Sequence, residues 1–138
     1  MGAPPQAFPV DSPMSSPTSP PVTYRLFIHL SAPAGVRVGR LGVVHLAAGD
    51  YIYTGSARRG LSARVLRHMG YAPRTPRWHI DFLLKTPGAR VERVDLHPDP
   101  ECVVNQATPG TVPAPGFGAS DCTAGCISHL KRCAGASA

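Results

Sequence analysis

Residues 51–68, YIYTGSARRGLSARVLRH, join a predicted strand to a predicted helix through a short turn. The YIYTG part is rich in strand-forming residues, and Gly55 stands where the backbone is expected to turn sharply into the next element. Beyond the turn, Leu61, Val65 and Met69 lie four residues apart, which is helical spacing. The stretch therefore predicts a strand followed directly by a helix.

Polar and basic side chains accompany this strand and helix. Tyr51 and Tyr53 share one strand face, and we expect Tyr51 to be a packing residue beside Tyr53. With Leu66 widening the apolar stripe of the helix, Arg64 and His68 fall side by side along its edge. We expect both at the rim of the buried face, close to the tyrosines.

The rest of the chain predicts an α+β protein. Residues 23–30, TYRLFIHL, alternate between apolar and polar side chains as a half-buried strand does. Residues 36–46 are typical of an interrupted strand or two short ones, and 91–97 of another strand. Further helices are predicted over 77–85 and after Asp99, which is expected as an N-cap. The predicted fold is a small antiparallel or mixed three-stranded sheet core flanked by helices.

The expected domain covers residues 22–133. Residues 1–21 hold seven of the sixteen prolines and almost no apolar pattern, so we expect a disordered Pro/Ser-rich tail. This segment has neither the basic start nor the apolar core of a signal peptide, and Met14 is an alternative start to Met1. Residues 134–138 are expected to be a flexible C-terminus.

The charge distribution favours a polyanionic partner. The formal net charge is +6, and the interval between Asp50 and Asp81 holds six arginines and no acidic residue. Arginine suits planar, bidentate phosphate contacts, although a solvated basic surface is the alternative. Because no apolar run approaches the roughly 18 residues that a membrane span needs, we expect no membrane partner and a cytoplasmic, or nucleoid-associated, protein.

All four cysteines lie in the C-terminal third of the chain. Without an export signal, reduced thiols or a metal site are favoured over disulfides. Cys122, Cys126 and His129, with Cys102 or Cys133, offer soft ligands for Zn²⁺, but paired CxxC motifs are missing. Buried thiols or a redox-active pair remain the alternative.

Several motifs in order resemble the GIY-YIG nuclease superfamily. Val22-Thr23-Tyr24 takes the place of GIY, Tyr53-Thr54-Gly55 that of YIG, and an LxxR helix follows. The chain is more narrowly similar to the DUF123 group, through RWHID (77–81), GFGASDC (116–122) and Ser128-His129-Leu130. Some thirty residues separate the two tyrosines, a spacing that requires an inserted hairpin.

The resemblance implies a phosphodiester-cleaving site made of Tyr24, Tyr53, Arg64 and Glu101. Tyr24 would orient or deprotonate the attacking water, which requires nearby cations to lower its pKa from about 10. Tyr53 would contact an oxygen of the phosphate, Arg64 would neutralise charge there, and Glu101 would hold Mg²⁺ or Mn²⁺. His68 would assist the phosphate or the proton transfer.

Each of these roles has a structural alternative. Both tyrosines fit core positions with satisfied hydroxyls, and Arg64 fits a salt bridge to Asp81. Glu101 fits the N-terminal end of a helix dipole. His79 and Asp81 fit a structural cap, and equally a functional role as a phosphate contact or as a bond to His68 or Arg64.

The resulting expectation is a nucleic-acid-binding domain, with DNA as the expected polymer and metal-dependent endonuclease activity. The alternatives are an inactive DNA-binding module that acts beside a DNA-repair protein, and a zinc-stabilised structural or adaptor domain. The expected phosphate contacts around the site are Arg58, Arg59, Arg67, Arg74, Arg77 and His79.

Overall fold

The computed structural model describes residues 20–57, 60–69, 79–119 and 125–133. Its strands are β1 (Thr23–Leu30), β2 (Ala34–Val38), β3 (Gly42–Leu46), β4 (Gly49–Ser56), β5 (Ala89–His97) and β6 (Leu130–Arg132). Its helices are α1 (Leu61–His68), α2 (His79–Leu84) and α3 (Glu101–Ala107). The predicted tail up to residue 19 and the C-terminus from residue 134 lie outside the described residues, so these two predictions stay untested.

The main sheet is antiparallel and has the strand order β5-β1-β4-β6. The α+β class is confirmed, but the three-stranded core is wrong, because β6 adds a fourth strand. β6 is only three residues long and pairs with β4 from Tyr51 to Tyr53. So short a segment carries no readable alternation, and its place depends on hydrogen bonds to a distant strand.

The inserted hairpin expected between the two tyrosines is present as a separate two-stranded sheet of β2 and β3. A 3₁₀ turn, Gly39–Leu41, joins these strands. Gly39 begins the turn and Gly42 follows it, with φ of 46° and 87°, values that glycine adopts without a steric cost. Because the hairpin closes on itself, it leaves β1 free to pair with β4 directly.

The core lies between the main sheet, the hairpin and α2. The predicted alternation of β1 is confirmed, since Leu26, Ile28 and Leu30 are buried while Phe27 and His29 are partly exposed. Full burial of such a side chain contributes about 1.5–3 kcal/mol relative to leaving it exposed. The other main members of the core are Val36, Val38, Val44, Leu46, Tyr51, Ile80, Leu83, Phe117 and Leu130.

Helix α1 packs only part of its predicted apolar stripe against the core. Leu61 and Val65 are partly buried there. Leu66 and Met69 are exposed, at 48% and 43% of their surface, whereas His68 is buried at 2%. The polar contacts of Arg64 and His68, described below, set the rotation of this short helix. His68 therefore faces the interior and does not lie at the rim.

Helix α3 begins one residue later than predicted. Pro100 occupies the N-cap position and no side chain caps the helix, so the prediction of Asp99 as N-cap is wrong. The carbonyl oxygen of Asp99 instead accepts the hydroxyl of Thr23 at 2.6 Å, which ties the turn to β1. This contact places Glu101, the first residue of α3, beside the end of β4.

None of the helices in the described ranges combines the length and the hydropathy that crossing a bilayer requires.

Candidate active site

Tyr24 and Tyr53 lie side by side on neighbouring strands. β1 and β4 pair with Tyr24 opposite Gly55 and Leu26 opposite Tyr53, so the two rings share one face of the sheet. Their centroids are 6.4 Å apart and the rings are tilted by 46°. Both side chains are buried, and Tyr51 is buried beyond them with its hydroxyl bonded to the carbonyl of Ala47.

Gly55 provides the space for both rings. A Cβ atom at this position would lie 2.5 Å from Tyr24 Oη and 2.9 Å from Tyr53 Cε2. Gly55 has no positive φ, and β4 continues through it to Ser56. The prediction of a sharp turn at Gly55 is therefore wrong, since the glycine is needed for close packing.

Tyr24 is the first member of a buried polar chain. Its Oη lies 2.9 Å from His68 Nε2, and His68 Nδ1 lies 3.7 Å from a carboxylate oxygen of Asp81. In the tautomer with the proton on Nδ1, toward the carboxylate, Nε2 would accept the hydroxyl of Tyr24. The chain thus connects β1, α1 and α2 through side chains alone.

Arg67 pairs with Asp81, the last residue of this buried polar chain. Its guanidinium contacts both oxygens of Asp81, at 3.1 Å and 3.4 Å, while Asp81 is fully buried. The Arg67 side chain is 18% exposed. The structure therefore places Arg67 in a buried ion pair, the kind of pair that had been considered for Arg64.

Arg64 and Glu101 form the more open side of the site. Arg64 donates to the carbonyl of Ser56 at 2.6 Å, and the Ser56 hydroxyl donates to Glu101 Oε1 at 2.5 Å. The second carboxylate oxygen of Glu101 pairs with His129 Nδ1. Arg64 also lies close enough to Tyr24 to lower its pKa through charge and a hydrogen bond. Tyr24, Tyr53, Arg64 and Glu101 are thus brought together.

The pKa of Tyr24 is raised and not lowered. Burial raises the pKa of Tyr24 well above 10, and the charge of Arg64 opposes this only in part. The charges of Glu101 and Asp81 raise this pKa further. The lowered pKa that a role as base requires is therefore not found, because loss of hydration outweighs the nearby cation.

Burial also dominates the pKa of Tyr53, whereas hydrogen bonds decide the pKa of Glu101. Burial, followed by the neighbouring Tyr24 and the two carboxylates, raises the pKa of Tyr53 well above 10. Burial alone would raise the pKa of Glu101 too, but hydrogen bonds from His129 and Ser56 outweigh it and lower that pKa. The site therefore combines neutral phenols with an ionised carboxylate near neutral pH.

Three of the predicted soft metal ligands lie close together, beside Glu101. Cys102 Sγ, Cys126 Sγ and one ring nitrogen of His129 lie within 4.8 Å of one another. Cys122 lies outside the described residues. Cys133 is elsewhere, since its backbone N–H bonds to Asp50 near the start of β4.

His79 supports a loop that covers Tyr53. Its Nδ1 accepts the N–H of Gly118 at 2.8 Å, and its ring packs edge-on against Phe117. A Cβ atom at Gly118, which has φ of 70°, would lie 2.9 Å from Tyr53 Cε1. Of the expected phosphate contacts, the following lie outside the described residues: Arg58, Arg59, Arg74 and Arg77.

Ser56 has no role among the sequence predictions, and the structure adds it to the site through its bond to Glu101. Ser56 follows the YTG motif directly and is the last residue of β4. Asp81 belongs to the WHID motif, and the structure places its carboxylate near His68, one of the two partners considered for it. His129 had been assigned only to a metal, and it also contacts Glu101.

The fold and the site define a small α+β domain with a buried Tyr-His-Asp chain beside a carboxylate. Residues 23–138 match the family described as Domain of unknown function DUF123, and the chain belongs to that family. No curated protein and no solved structure gives a significant match to the chain.

Proposed function

We propose that this protein binds nucleic acid and hydrolyses its phosphodiester bonds, as a GIY-YIG-like endonuclease with DNA as its substrate. One observation carries the proposal. Tyr24, Tyr53, Arg64 and Glu101 come from β1, β4, α1 and α3, and they converge on one site. These are the positions that the resemblance to the superfamily singles out.

Arg64 would bind the scissile phosphate. It is the cationic member of the site, it is partly exposed, and its bond to the Ser56 carbonyl fixes its direction. A fixed guanidinium stabilises the charge that develops on a phosphate in the transition state, and removing one such group costs about 10²–10³ in rate. The net charge of +6 would bring the polyanion to this site.

The buried chain of Tyr24, His68 and Asp81 would accept the proton of the attacking water. A phenol with a raised pKa is not a standing base, but Tyr24 can take a proton while it passes its own to His68 Nε2, 2.9 Å away. The nearby carboxylate of Asp81 stabilises the imidazolium that results. Tyr53 would hydrogen-bond a phosphate oxygen beside Tyr24.

The carboxylate of Glu101 fits one hard divalent cation, Mg²⁺ or Mn²⁺. A carboxylate offers about four lone-pair positions, of which Ser56 and His129 use two. The side chain is 27% exposed, so water can complete the coordination sphere. When bound, such a cation supplies charge stabilisation and a more acidic water.

A second candidate is a nucleic-acid-binding module without turnover, acting in the cytoplasm or on the nucleoid beside a DNA-repair protein. The observation that favours it is the closed state of the site. Both phenols are buried, and both carboxylate oxygens of Glu101 already accept contacts within the chain. Binding through basic residues needs none of these groups to react.

The decisive experiment incubates plasmid, branched and single-stranded DNA with the protein in Mg²⁺, Mn²⁺ or EDTA. Arg64→Ala and Tyr24→Phe are compared with wild type, and Arg90→Ala is the control. Arg90 is an exposed arginine next to the Leu30 end of β1, at the opposite end from Tyr24. We expect metal-dependent nicking that both site variants reduce by about 10²-fold or more and that Arg90→Ala retains.

Nicking that is unchanged in both site variants would discard this active site. Salt-dependent binding without cleavage under any condition would instead support the binding module.

A further inference from the structure

We propose that Cys102, Cys126 and His129 form a zinc site next to the candidate active site. Two thiolates and an imidazole are the ligands that Zn²⁺ prefers in proteins. Their ligand atoms lie within 4.8 Å of one another, although α3 supplies Cys102 and the segment before β6 supplies the other two. The proposal does not depend on nuclease activity, since it rests on these ligands alone.

The spacing is close to that of a bound tetrahedral ion. Zn–S and Zn–N bonds of about 2.3 Å and 2.0 Å at tetrahedral angles separate the two ligand atoms by about 3.5 Å. Cys102 Sγ and His129 Nε2 are 4.0 Å apart. Cys102 and Cys126 are both partly exposed, so an ion can enter and the thiols can move by a few tenths of an ångström.

The orientation of His129 is the strongest support. Its Nδ1 lies 3.3 Å from the carbonyl of Thr54 and pairs with the carboxylate of Glu101. A carbonyl oxygen only accepts, so Nδ1 carries the proton and Nε2 presents its lone pair toward Cys102. A carboxylate that holds the second nitrogen of a histidine is the usual support of a zinc ligand.

The backbone holds this histidine in place before any ion binds. The N–H of His129 donates to Phe117, and its carbonyl accepts the N–H of Thr54 at 3.0 Å. His129 is 1% exposed, and a ring fixed in this way loses little freedom on binding. Zinc would therefore link the mostly exposed segment around Cys126 to α3. Through His129 it would also fix the position of Glu101.

The described residues supply three ligands, which leaves the fourth position to water or to a donor outside them. Cys122 is outside the described residues and is not part of the proposed set. Cys133, whose N–H bonds to Asp50 near the other end of β4, is the matched control cysteine.

The test measures metal in the full chain, purified without added zinc and without chelator. We expect about one zinc per chain by elemental mass spectrometry, retained in Cys133→Ser and lost in Cys102→Ser and Cys126→Ser. Replacement by Co²⁺ should give the visible absorption of a tetrahedral thiolate site in wild type and Cys133→Ser only. Glu101→Gln should weaken zinc affinity by about 10–100-fold without abolishing binding.

A second readout needs no variant. Zinc should protect Cys102 and Cys126 of the wild-type chain from alkylation and leave Cys133 reactive, as mapped by peptide mass spectrometry. Failure of the wild type to retain or take up zinc would overturn the site, as would equal metal content in all three serine variants. A Cys102–Cys126 disulfide in the purified protein would overturn it too. None of these measurements involves nucleic acid, so they fail or succeed separately from the cleavage assay.

Discussion

Gly55 lies directly opposite Tyr24 in the pairing of β1 with β4, and the Tyr24 ring occupies the space that a side chain at Gly55 would fill. The motif glycine and the motif tyrosine are therefore one structural unit. Tyr53, two residues before Gly55, packs into the same space from the other side.

Gly55→Ala should displace both tyrosines. The new methyl group would lie 2.5 Å from Tyr24 Oη, and the buried rings have little room to move. We expect a loss of about 1–3 kcal/mol in the free energy of unfolding, measured by urea denaturation. The control is Gly35→Ala, where the nearest atom belongs to the exposed His45 at 3.3 Å. Equal stability of the two variants would contradict this role of Gly55.

Tyr24 and His68 should be energetically coupled. Tyr24→Phe removes the hydroxyl and leaves His68 Nε2 buried without it, at a cost of about 1–2 kcal/mol. In a double-mutant cycle with His68→Leu, we expect a coupling energy of about 1 kcal/mol. Strictly additive effects of the two substitutions would show that the 2.9 Å contact contributes nothing to stability.

Arg67 should matter for stability more than an exposed arginine does. Arg67→Ala takes away the ion-pair partner of the fully buried Asp81, and we expect a loss of about 3 kcal/mol. Arg90→Ala breaks an exposed pair with Glu92 and should cost no more than about 0.5 kcal/mol. Thermal unfolding of both variants tests this difference. A similar small loss in both would mean that water reaches Asp81.

Asp95 should give the protein a pH-dependent share of its stability. Burial would raise the pKa of Asp95, but hydrogen bonds from Arg25 and His97 outweigh it and hold the pKa below 3.8. The folded state then binds fewer protons than the unfolded state near that pH. This contribution is therefore present above pH 3.8 and is lost as the pH falls through the lower pKa of the folded protein.

Asp95→Asn tests this sign. We expect the variant to be about 1 kcal/mol less stable than wild type near neutral pH, with a difference that shrinks below pH 3.8. Glu92→Gln is the control, since it removes a carboxylate from an exposed pair with Arg90 on the same strand. A gap between Asp95→Asn and wild type that stays constant down to low pH would contradict the assignment.

Local patterns were enough to predict most of the elements. The alternation of β1 and the helical spacing of α1 depend on residues close in sequence, so they can be read without knowing the neighbours. β6 and the rotation of α1 could not be read in this way. The first is set by pairing with β4, and the second by polar contacts of His68 and Arg64 to residues on other elements.

The site shows the same division. The motifs alone predicted that one site contains Tyr24, Tyr53, Arg64 and Glu101. A family resemblance depends on residue type and order, and both can be read from the sequence. The pairing of Arg67 with Asp81 and of His129 with Glu101 could not be predicted, since each joins elements far apart in the chain. The raised pKa of Tyr24 was missed for a related reason, because burial is a property of the packed structure.

The sequence by itself determined the α+β class, the hairpin inserted between the tyrosines, and the residue types available to the site. Only the tertiary structure decided that Gly55 makes room for Tyr24, that His68 turns inward to meet it, and that the thiols of Cys102 and Cys126 gather at His129. The physical reason is that periodicity and turn chemistry act over a few residues. Burial, ion pairing and ligand spacing depend on segments that meet only when the chain has folded.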